Sequence, residues 1–230
     1  MTASPTVRAL KLGVTWCYLI RCPDGYLLID TSYPNRFSQF LRSIAALGID
    51  IQKIRYLLLT HHHDDHAGFA AELVEKTGCR VIAHRNAVEA LTIGESEDTM
   101  RPVNRRVQFL FALFTLFHRR FRFPPLVLGE NDIVLPGDDF DLLRGIGING
   151  RIAYTPGHTR DSISVILSDG SAFVGDVAMN FLRQTGIGHR PIFVEDIQAV
   201  YTSWQRLIEF GAKVIYPSHG KPFSARELAR

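Results

Sequence analysis

The sequence predicts an α/β layered protein, and two observations carry this prediction. Short apolar segments of strand character alternate with segments of helical period, and polar residues rich in His and Asp follow the ends of several strands. The 230 residues are 46% hydrophobic and 21% charged, which is the composition of a globular domain with a sizeable core. We therefore expect a single domain over residues 1–230 whose strand-end loops carry the function.

The first half of the chain predicts a hairpin over residues 17–30, a helix over 37–47 and a buried strand over 54–59. A helix from about residue 67 to residue 76 and a strand over 81–83 should follow. This order places the histidine-rich run Thr-His-His-His-Asp-Asp-His-Ala-Gly directly between a buried strand and a helix.

The second half repeats this order loosely. It predicts a hairpin over residues 162–174, a helix over 197–210 and a last strand over 214–216. The segment over about 92–130 is rich in Arg and Phe and has no counterpart in the other half. We interpret it as an inserted, helical lid or interface segment.

Four residues after the strand at 54–59 favour a metal site. His61 and His63 are two apart and can face one point, while Asp65 and His66 lie on the turn that enters the next helix. Imidazole and carboxylate ligands without thiolate suit a catalytic zinc site, and also iron or manganese. A solvated His-rich loop is the alternative interpretation, which this tight spacing after a buried strand disfavours.

Three further residues occupy strand ends. His158 follows Thr-Pro-Gly, Asp176 follows a glycine, and His219 follows the last predicted strand. Each alone is typical of an ordinary turn or surface residue. Together with the first run, however, they give four strand ends that each supply a ligand type.

These motifs resemble those of the metallo-β-lactamase superfamily. The run T-H-H-H-D-D-H-A-G is similar to that family's H-x-H-x-D-H signature, and T-P-G-H-T, G-D and S-H-G follow in the family's order. The resemblance covers essentially the whole chain apart from the insertion. It implies a four-layer αββα sandwich with the site along one edge of the two sheets.

The resemblance also implies roles for individual residues. His61, His63 and His158 would hold one divalent ion, Asp65, His66 and His219 a second, and Asp176 would bridge the two. His62 and Asp64 fall at variable positions of the signature and should point away from the ions. Asp30 matches a position where the family often has an acid that orients the ligand loop, although an ordinary turn residue is an equal alternative.

The chemistry implied is that of a dinuclear metallohydrolase. A hydroxide shared by two ions, with zinc the first expectation and iron or manganese the alternatives, would attack an ester, thioester or lactone of a small hydrophobic substrate. Asp65 would assist this hydroxide as a catalytic residue. Glyoxalase II and lactonase-like members fit better than true β-lactamases. A mononuclear iron oxidoreductase similar to persulfide dioxygenases is the main alternative, and a phosphodiesterase a weaker one.

The Arg- and Phe-rich segment is the best indication of substrate and partners. Phe114 and Phe117 in this segment, together with His189 in a glycine-rich loop, are candidates for a substrate pocket, and a solvated loop is an equal alternative for His189. The segment would otherwise form a homodimer contact or rest on an anionic membrane surface. The net charge of +3 and the absence of a secretory signal predict a cytoplasmic protein that acts on small molecules and binds no nucleic acid.

Overall fold

The computed structural model describes residues 7–96, 100–109 and 121–229, and within them two β-sheets pack face to face with helices on both outer sides. In spatial order, the first sheet contains β1 (Val7–Leu12), β2 (Thr15–Cys22), β3 (Gly25–Ile29), β4 (Ile54–Leu58), β5 (Arg80–His84) and β7 (Ile133–Leu135). The second contains β13 (Phe223–Ser224), β12 (Val214–Tyr216), β10 (Ser171–Phe173), β9 (Ile163–Leu167) and β8 (Gly150–Tyr154). A separate antiparallel pair joins β6 (Arg101–Pro102) to β11 (Phe193–Val194).

Strand β2 shows why the sheets form inner layers. Successive side chains of a strand point to opposite faces. Accordingly, Cys17 and Leu19 pack against the helices outside the first sheet, whereas Tyr18 and Ile20 pack between the two sheets. Both faces of the strand are therefore buried, and its sequence is almost continuously apolar.

The helices supply the two outer layers. Against the first sheet lie α1 (Phe37–Ala46), α3 (Ala70–Thr77) and α4 (Val88–Ile93), and against the second lies α6 (Ile197–Glu209). Two single-turn helices, α2 (Asp64–Ala67) and α5 (Leu142–Gly145), connect the layers. The order of layers is helix, sheet, sheet, helix, which confirms the αββα sandwich that the family resemblance implies.

The prediction of one continuous helix from about residue 67 to residue 76 was wrong, because the structure has two helices here. The chain forms α2, breaks at Gly68 and Phe69, and then forms α3. The reason lies in the carbonyl of His66, which accepts hydrogen bonds from the N–H and the Oγ1 of Thr31, at 2.7 Å and 2.6 Å. Because Thr31 takes this carbonyl, the helix ends there and His66 keeps a position that a longer helix would not give it.

The other predicted elements appear with small changes. The hairpins and the helices at residues 37 and 197 are present, but the strand at 214–216 is followed by β13 and is not the last one. Of the predicted insertion over 92–130, residues 92–96, 100–109 and 121–130 are described, and they include β6 and a helical stretch over 105–109. Phe123 and Leu126 pack into the core between the first sheet and its outer helices, which we call the first core. Phe114 and Phe117 lie outside the described residues. No described helix has the length and apolarity to cross a membrane.

Candidate metal centre

The sandwich gathers the seven predicted ligands at one edge. The loop after β4 carries His61 and His63, and α2 carries Asp65 and His66. The other three follow strands of the second sheet, namely His158 after β8, Asp176 after β10 and His219 after β12. Their ligand atoms form three overlapping groups, each within 4.8 Å: His61, His63 and His158; His61, His66 and Asp176; and Asp65, His66 and His219.

The first group is a triangle of imidazole nitrogens. Nδ1 of His63 lies 3.0 Å from Nε2 of His61 and 3.1 Å from Nε2 of His158. All three side chains are buried. Three nitrogens at this separation are close to the roughly 3.3 Å edge of a tetrahedron around an ion with bonds of about 2.0–2.1 Å.

Asp176 lies between this triangle and the group of Asp65, His66 and His219, which is called the second group from here on. Its Oδ2 is 3.8 Å from Nε2 of His158 and 3.4 Å from Nε2 of His219, and its Oδ1 is 3.4 Å from Nε2 of His66. Asp65 completes the second group with its Oδ2 at 3.0 Å from Nε2 of His219. A single carboxylate is therefore placed between both sets of imidazoles.

The hydrogen-bond partners of the outer ring nitrogens fix the orientation of four of these rings. Nδ1 of His158 donates to the carbonyl of Phe193 at 2.8 Å, and Nδ1 of His219 donates to the carbonyl of Val14 at 3.2 Å. Nδ1 of His66 donates to the Asp30 carboxylate at 2.9 Å. Because Nδ1 of each ring donates outward, Nε2 points towards the centre, where a bound cation would replace any proton that it carries.

The fourth ring, His61, is held through a relay. Nδ1 of His61 lies 3.1 Å from Oγ1 of Thr60, and this hydroxyl donates to Oδ2 of Asp30 at 2.7 Å. The Thr60 hydroxyl has one hydrogen, which it donates to Asp30. The hydroxyl oxygen therefore accepts a hydrogen bond from Nδ1 of His61. The Nε2 of His61 thereby points towards the centre as well.

Asp30 connects these contacts. Besides His66 and Thr60 Oγ1, its carboxylate accepts from the N–H of Thr60 at 2.7 Å and from Oγ of Ser218 at 3.2 Å. Its backbone has φ of 57°, a conformation that few residues other than glycine adopt. Asp30 therefore ties the loop after β4 to the loop before His219 through contacts that an ordinary turn residue would not make.

The electrostatics of the two groups differ. Burial, reinforced by the neighbouring imidazoles, lowers the pKa values of His61 and His63 well below the usual range, and burial also lowers the pKa of His158. In the second group burial acts the same way, but the carboxylates of Asp65 and Asp176 outweigh it.

The pKa of His66 is consequently raised well above its usual value, and that of His219 to about 10. The first group thus presents neutral imidazoles, and the second presents carboxylates whose charge calls for protons or another cation.

A buried pair behind the centre was missed from the sequence. His62 points away from the clustered ligands, as expected, and its Nδ1 contacts Oδ1 of Asp161 at 3.0 Å, with both side chains buried. Asp64 likewise belongs to none of the three ligand groups among the described residues. Asp161 follows His158 by three positions, but nothing in its spacing indicates a partner 99 residues away.

His189, one of the residues predicted to line a substrate pocket, lies away from the clustered ligands. His189 is buried, stacked on Phe223, and bonded to the Met179 carbonyl and to Glu227, so the expectation of a solvated loop was wrong. It lines a cleft to which none of the seven clustered residues contributes. Phe181, which sequence reasoning missed, has its ring centroid 6.2 Å from that of His219 and is 37% exposed.

Comparison with known proteins agrees with this architecture. The family model of the metallo-β-lactamase superfamily matches residues 10–219. A metallo-β-lactamase fold-containing protein of Sulfurisphaera tokodaii is 28% identical over 198 residues, which cover 84% of this chain and 68% of the relative. A hydroxyacylglutathione hydrolase of Rhodopseudomonas palustris is 31% identical over 152 residues, which are 64% of this chain but only 44% of that enzyme.

Solved structures share the fold. An archaeal metallo-β-lactamase superfamily protein from Sulfolobus tokodaii superposes with a TM-score of 0.66 at 23% identity, covering 97% of this chain and 83% of the other. The subclass B3 metallo-β-lactamase of Bradyrhizobium japonicum gives 0.65 at 19% identity, covering 95% and 76%. With the family model spanning nearly all of the chain and the αββα layers in place, this protein belongs to the metallo-β-lactamase superfamily.

Proposed function

We propose that this protein is a dinuclear metal-dependent hydrolase that cleaves an ester, thioester or lactone of a small hydrophobic substrate. The observation that carries the proposal is the position of Asp176. Its two oxygens lie within 3.4–3.8 Å of imidazole nitrogens of both ligand groups. A carboxylate in this place suits a bridge between two ions rather than a ligand to one.

The residues fit a pair of divalent ions. Buried polar atoms are normally paired, yet Nε2 of His66 and Oδ1 of Asp176 are buried and make no hydrogen bond to the described residues. Four Nε2 atoms converge with carboxylate oxygens, and nitrogen and oxygen ligands of this kind suit zinc first, with iron and manganese as alternatives. The residues proposed to hold one ion are His61, His63 and His158, and those for the other are Asp65, His66 and His219.

Bound divalent ions would supply an acidified water and a positive charge for the oxygen of the substrate carbonyl. The protein's own contribution is to hold the surrounding groups rigid. The contacts of Asp30 and of the Phe193 and Val14 carbonyls fix the rings, so little reorganisation is needed during the reaction. Asp65 is the most exposed of the clustered carboxylates and would accept a proton or a hydrogen bond from the attacking water.

The substrate class rests on two observations. Several curated relatives are hydroxyacylglutathione hydrolases, but the chain matches less than half of their length. From these relatives we therefore infer only the type of bond that is cleaved, an acyl bond, and not the rest of the substrate. The exposed ring of Phe181 beside His219 provides an apolar surface next to the centre, which suits a hydrophobic substrate.

Metal analysis together with a substrate panel tests this proposal. We expect about two zinc or manganese ions per chain after purification without added metal, and hydrolysis of acyl thioesters, esters or lactones. Asp176→Ala and His61→Ala should lose metal and activity together, whereas Asp24→Ala, an exposed carboxylate in a turn, should lose neither. One iron per chain with oxidation of a persulfide would overturn the proposal, as would hydrolysis of phosphodiesters alone.

A further inference from the structure

The cleft that His189 lines is separate from the ligand cluster. Its volume is about 370 Å³, which is within the range of small-molecule sites. The loop over residues 183–190, one face of α6 and Glu227 near the end of the chain form its walls. None of the seven clustered residues lines it, so its chemistry is independent of the function proposed above.

The cleft contains a pre-oriented guanidinium. Nε of Arg190 donates to the Ile187 carbonyl at 2.8 Å, and Nη2 donates to the Gly186 carbonyl at 2.7 Å. These bonds hold the plane of the group and use two of its five N–H donors. The remaining donors are available to a ligand, and because the group is already fixed, little side-chain freedom would be lost on binding.

The charges around the cleft leave a positive surplus. Nδ1 of His189 faces the Met179 carbonyl at 2.9 Å, and Nε2 faces Oε2 of Glu227 at 3.1 Å. The Glu227 carboxylate, which His189 contacts, is the one acidic group among the residues that line the cleft. Arg190 and Arg183, which lies 3.9 Å from the same carboxylate oxygen, remain as cations.

A third guanidinium, that of Arg106, lies next to the loop over residues 183–190. Nη1 of Arg106 lies 3.7 Å from the place that a Cβ on Gly186 would occupy. The side chain of Asn104 also donates to the Thr185 carbonyl at 3.2 Å, which attaches this part of the chain to the loop. The positive surplus is therefore larger than the lining residues alone suggest.

Part of the cleft lining is aromatic. Tyr201 on α6 is 37% exposed, and its ring meets that of Trp204 edge to face at 5.5 Å between centroids. Nε1 of Trp204 donates to the Val177 carbonyl at 2.7 Å, which fixes the indole. A planar group entering the cleft would find a partly exposed ring held by a rigid neighbour.

We propose that this cleft is a second binding site for a phosphate or carboxylate group carried on a planar ring. The Arg190 guanidinium would bind the anionic group through its remaining donors, since the guanidinium fork matches both kinds of oxyanion. Arg183 would add charge, and Tyr201 would contact the ring of the ligand.

Trp204 provides a direct readout. The sequence contains two tryptophans, so Trp16→Phe leaves an indole that lines the cleft as the sole tryptophan signal. Phenyl phosphate and benzoate, titrated into metal-loaded Trp16→Phe protein, should shift the Trp204 signal saturably, and the tighter of the two identifies the anionic group. Benzyl alcohol, which carries the ring without the charge, should not. The proposal fails if neither anion shifts the Trp204 signal at concentrations up to about 10 mM, because a dissociation constant in the millimolar range is already weak.

Charge variants separate this cleft from the metal centre. In the same background Arg190→Gln should weaken binding by about tenfold or more, and Glu227→Gln should tighten it. Arg226→Gln removes a positive charge, as Arg190→Gln does, but from a side chain next to Glu227 in the sequence that does not line the cleft, and it should have little effect. If Arg190→Gln does not fold, Arg183→Gln, whose side chain is 54% exposed, is the substitute.

Equal effects of the cleft variant and Arg226→Gln would overturn the proposal, because binding would then reflect net charge alone. Loss of binding in Asp176→Ala with no effect of Arg190→Gln would likewise overturn it and place the anion at the metal centre.

Discussion

The imidazole of His62 and the carboxylate of Asp161 are joined at 3.0 Å inside the protein, between the loop that carries His61 and the loop that carries His158. Neither residue belongs to the three ligand groups. The contact nevertheless sets the distance between two loops that must meet for the imidazole triangle to form. Its position makes it a structural brace of the candidate centre.

Asp161→Asn should destabilise the protein by about 3 kcal/mol, because it removes the carboxylate charge from a buried contact with His62. Urea denaturation of the metal-free protein measures this change. Asp169→Asn, in the exposed turn between β9 and β10, is the matched control and should cost much less. An Asp161→Asn protein as stable as the control would show that the pair does not brace the loops.

The same pair should make stability depend on pH. Burial opposes ionisation of Asp161, but the neighbouring His62 outweighs burial and holds its pKa below the ordinary value of 3.8. A carboxyl whose folded-state pKa is depressed stabilises the fold above its unfolded pKa and loses that contribution as pH falls through the folded value. The difference in stability between wild type and Asp161→Asn should therefore be full at neutral pH and shrink below about pH 3.8. A constant difference would contradict the assignment.

Asp30→Asn should lower metal affinity by about 10–100-fold, the usual loss when a partner that orients a ligand is removed. The amide retains the size of the carboxylate but cannot accept from both Thr60 and His66 as the carboxylate does. Competition with a chromophoric chelator measures the affinity. Asp50→Asn, at an exposed helix start, should bind metal like wild type, and circular dichroism should show that both variants are folded.

Phe181→Ala should raise KM for substrates with long acyl groups by about tenfold and leave short acyl substrates nearly unchanged, because burying an aromatic ring against an acyl chain contributes about 1–2 kcal/mol. Steady-state kinetics on a series of acyl chain lengths tests this. Phe140→Ala, which removes another exposed phenylalanine outside the centre, is the control. An equal rise in KM for all chain lengths would argue against a contact with the acyl group.

Deleting residues 110–120 should leave metal content unchanged, whereas deleting 101–123 should reduce it. The longer deletion removes β6, which pairs with β11, and β11 supplies the Phe193 carbonyl that orients His158. It also removes Phe123 from the first core. Elemental analysis of both proteins measures the metal. Gel filtration and liposome flotation of the shorter deletion then distinguish the lid, dimer and membrane hypotheses for the Arg- and Phe-rich segment.

The alternation of strands and helices and the His/Asp run after β4 could be predicted from local patterns, whereas the αββα layers and the grouping of the distant ligands followed from the resemblance to a known family. Apolar strands, helical spacing and a tight His/Asp run can each be recognised within a few residues. His62 with Asp161 and His189 with Glu227 could not be predicted, since these pairs are 99 and 38 residues apart and depend on how loops pack. The helix break after Ala67 was equally hidden, because it depends on Thr31, which lies 35 residues earlier than His66.

The hydrogen bond from His219 to the Val14 carbonyl has a consequence for synthesis. It joins positions 205 residues apart, and the N–H of Trp16 also donates to the Ser218 carbonyl. While the chain is still being translated, the earlier ligands can leave the ribosome long before His219 does. A nascent chain would therefore expose an incomplete set of histidine ligands that could bind a cation other than the proposed ones. The proposed pair of ions can be acquired only after the last strands have emerged.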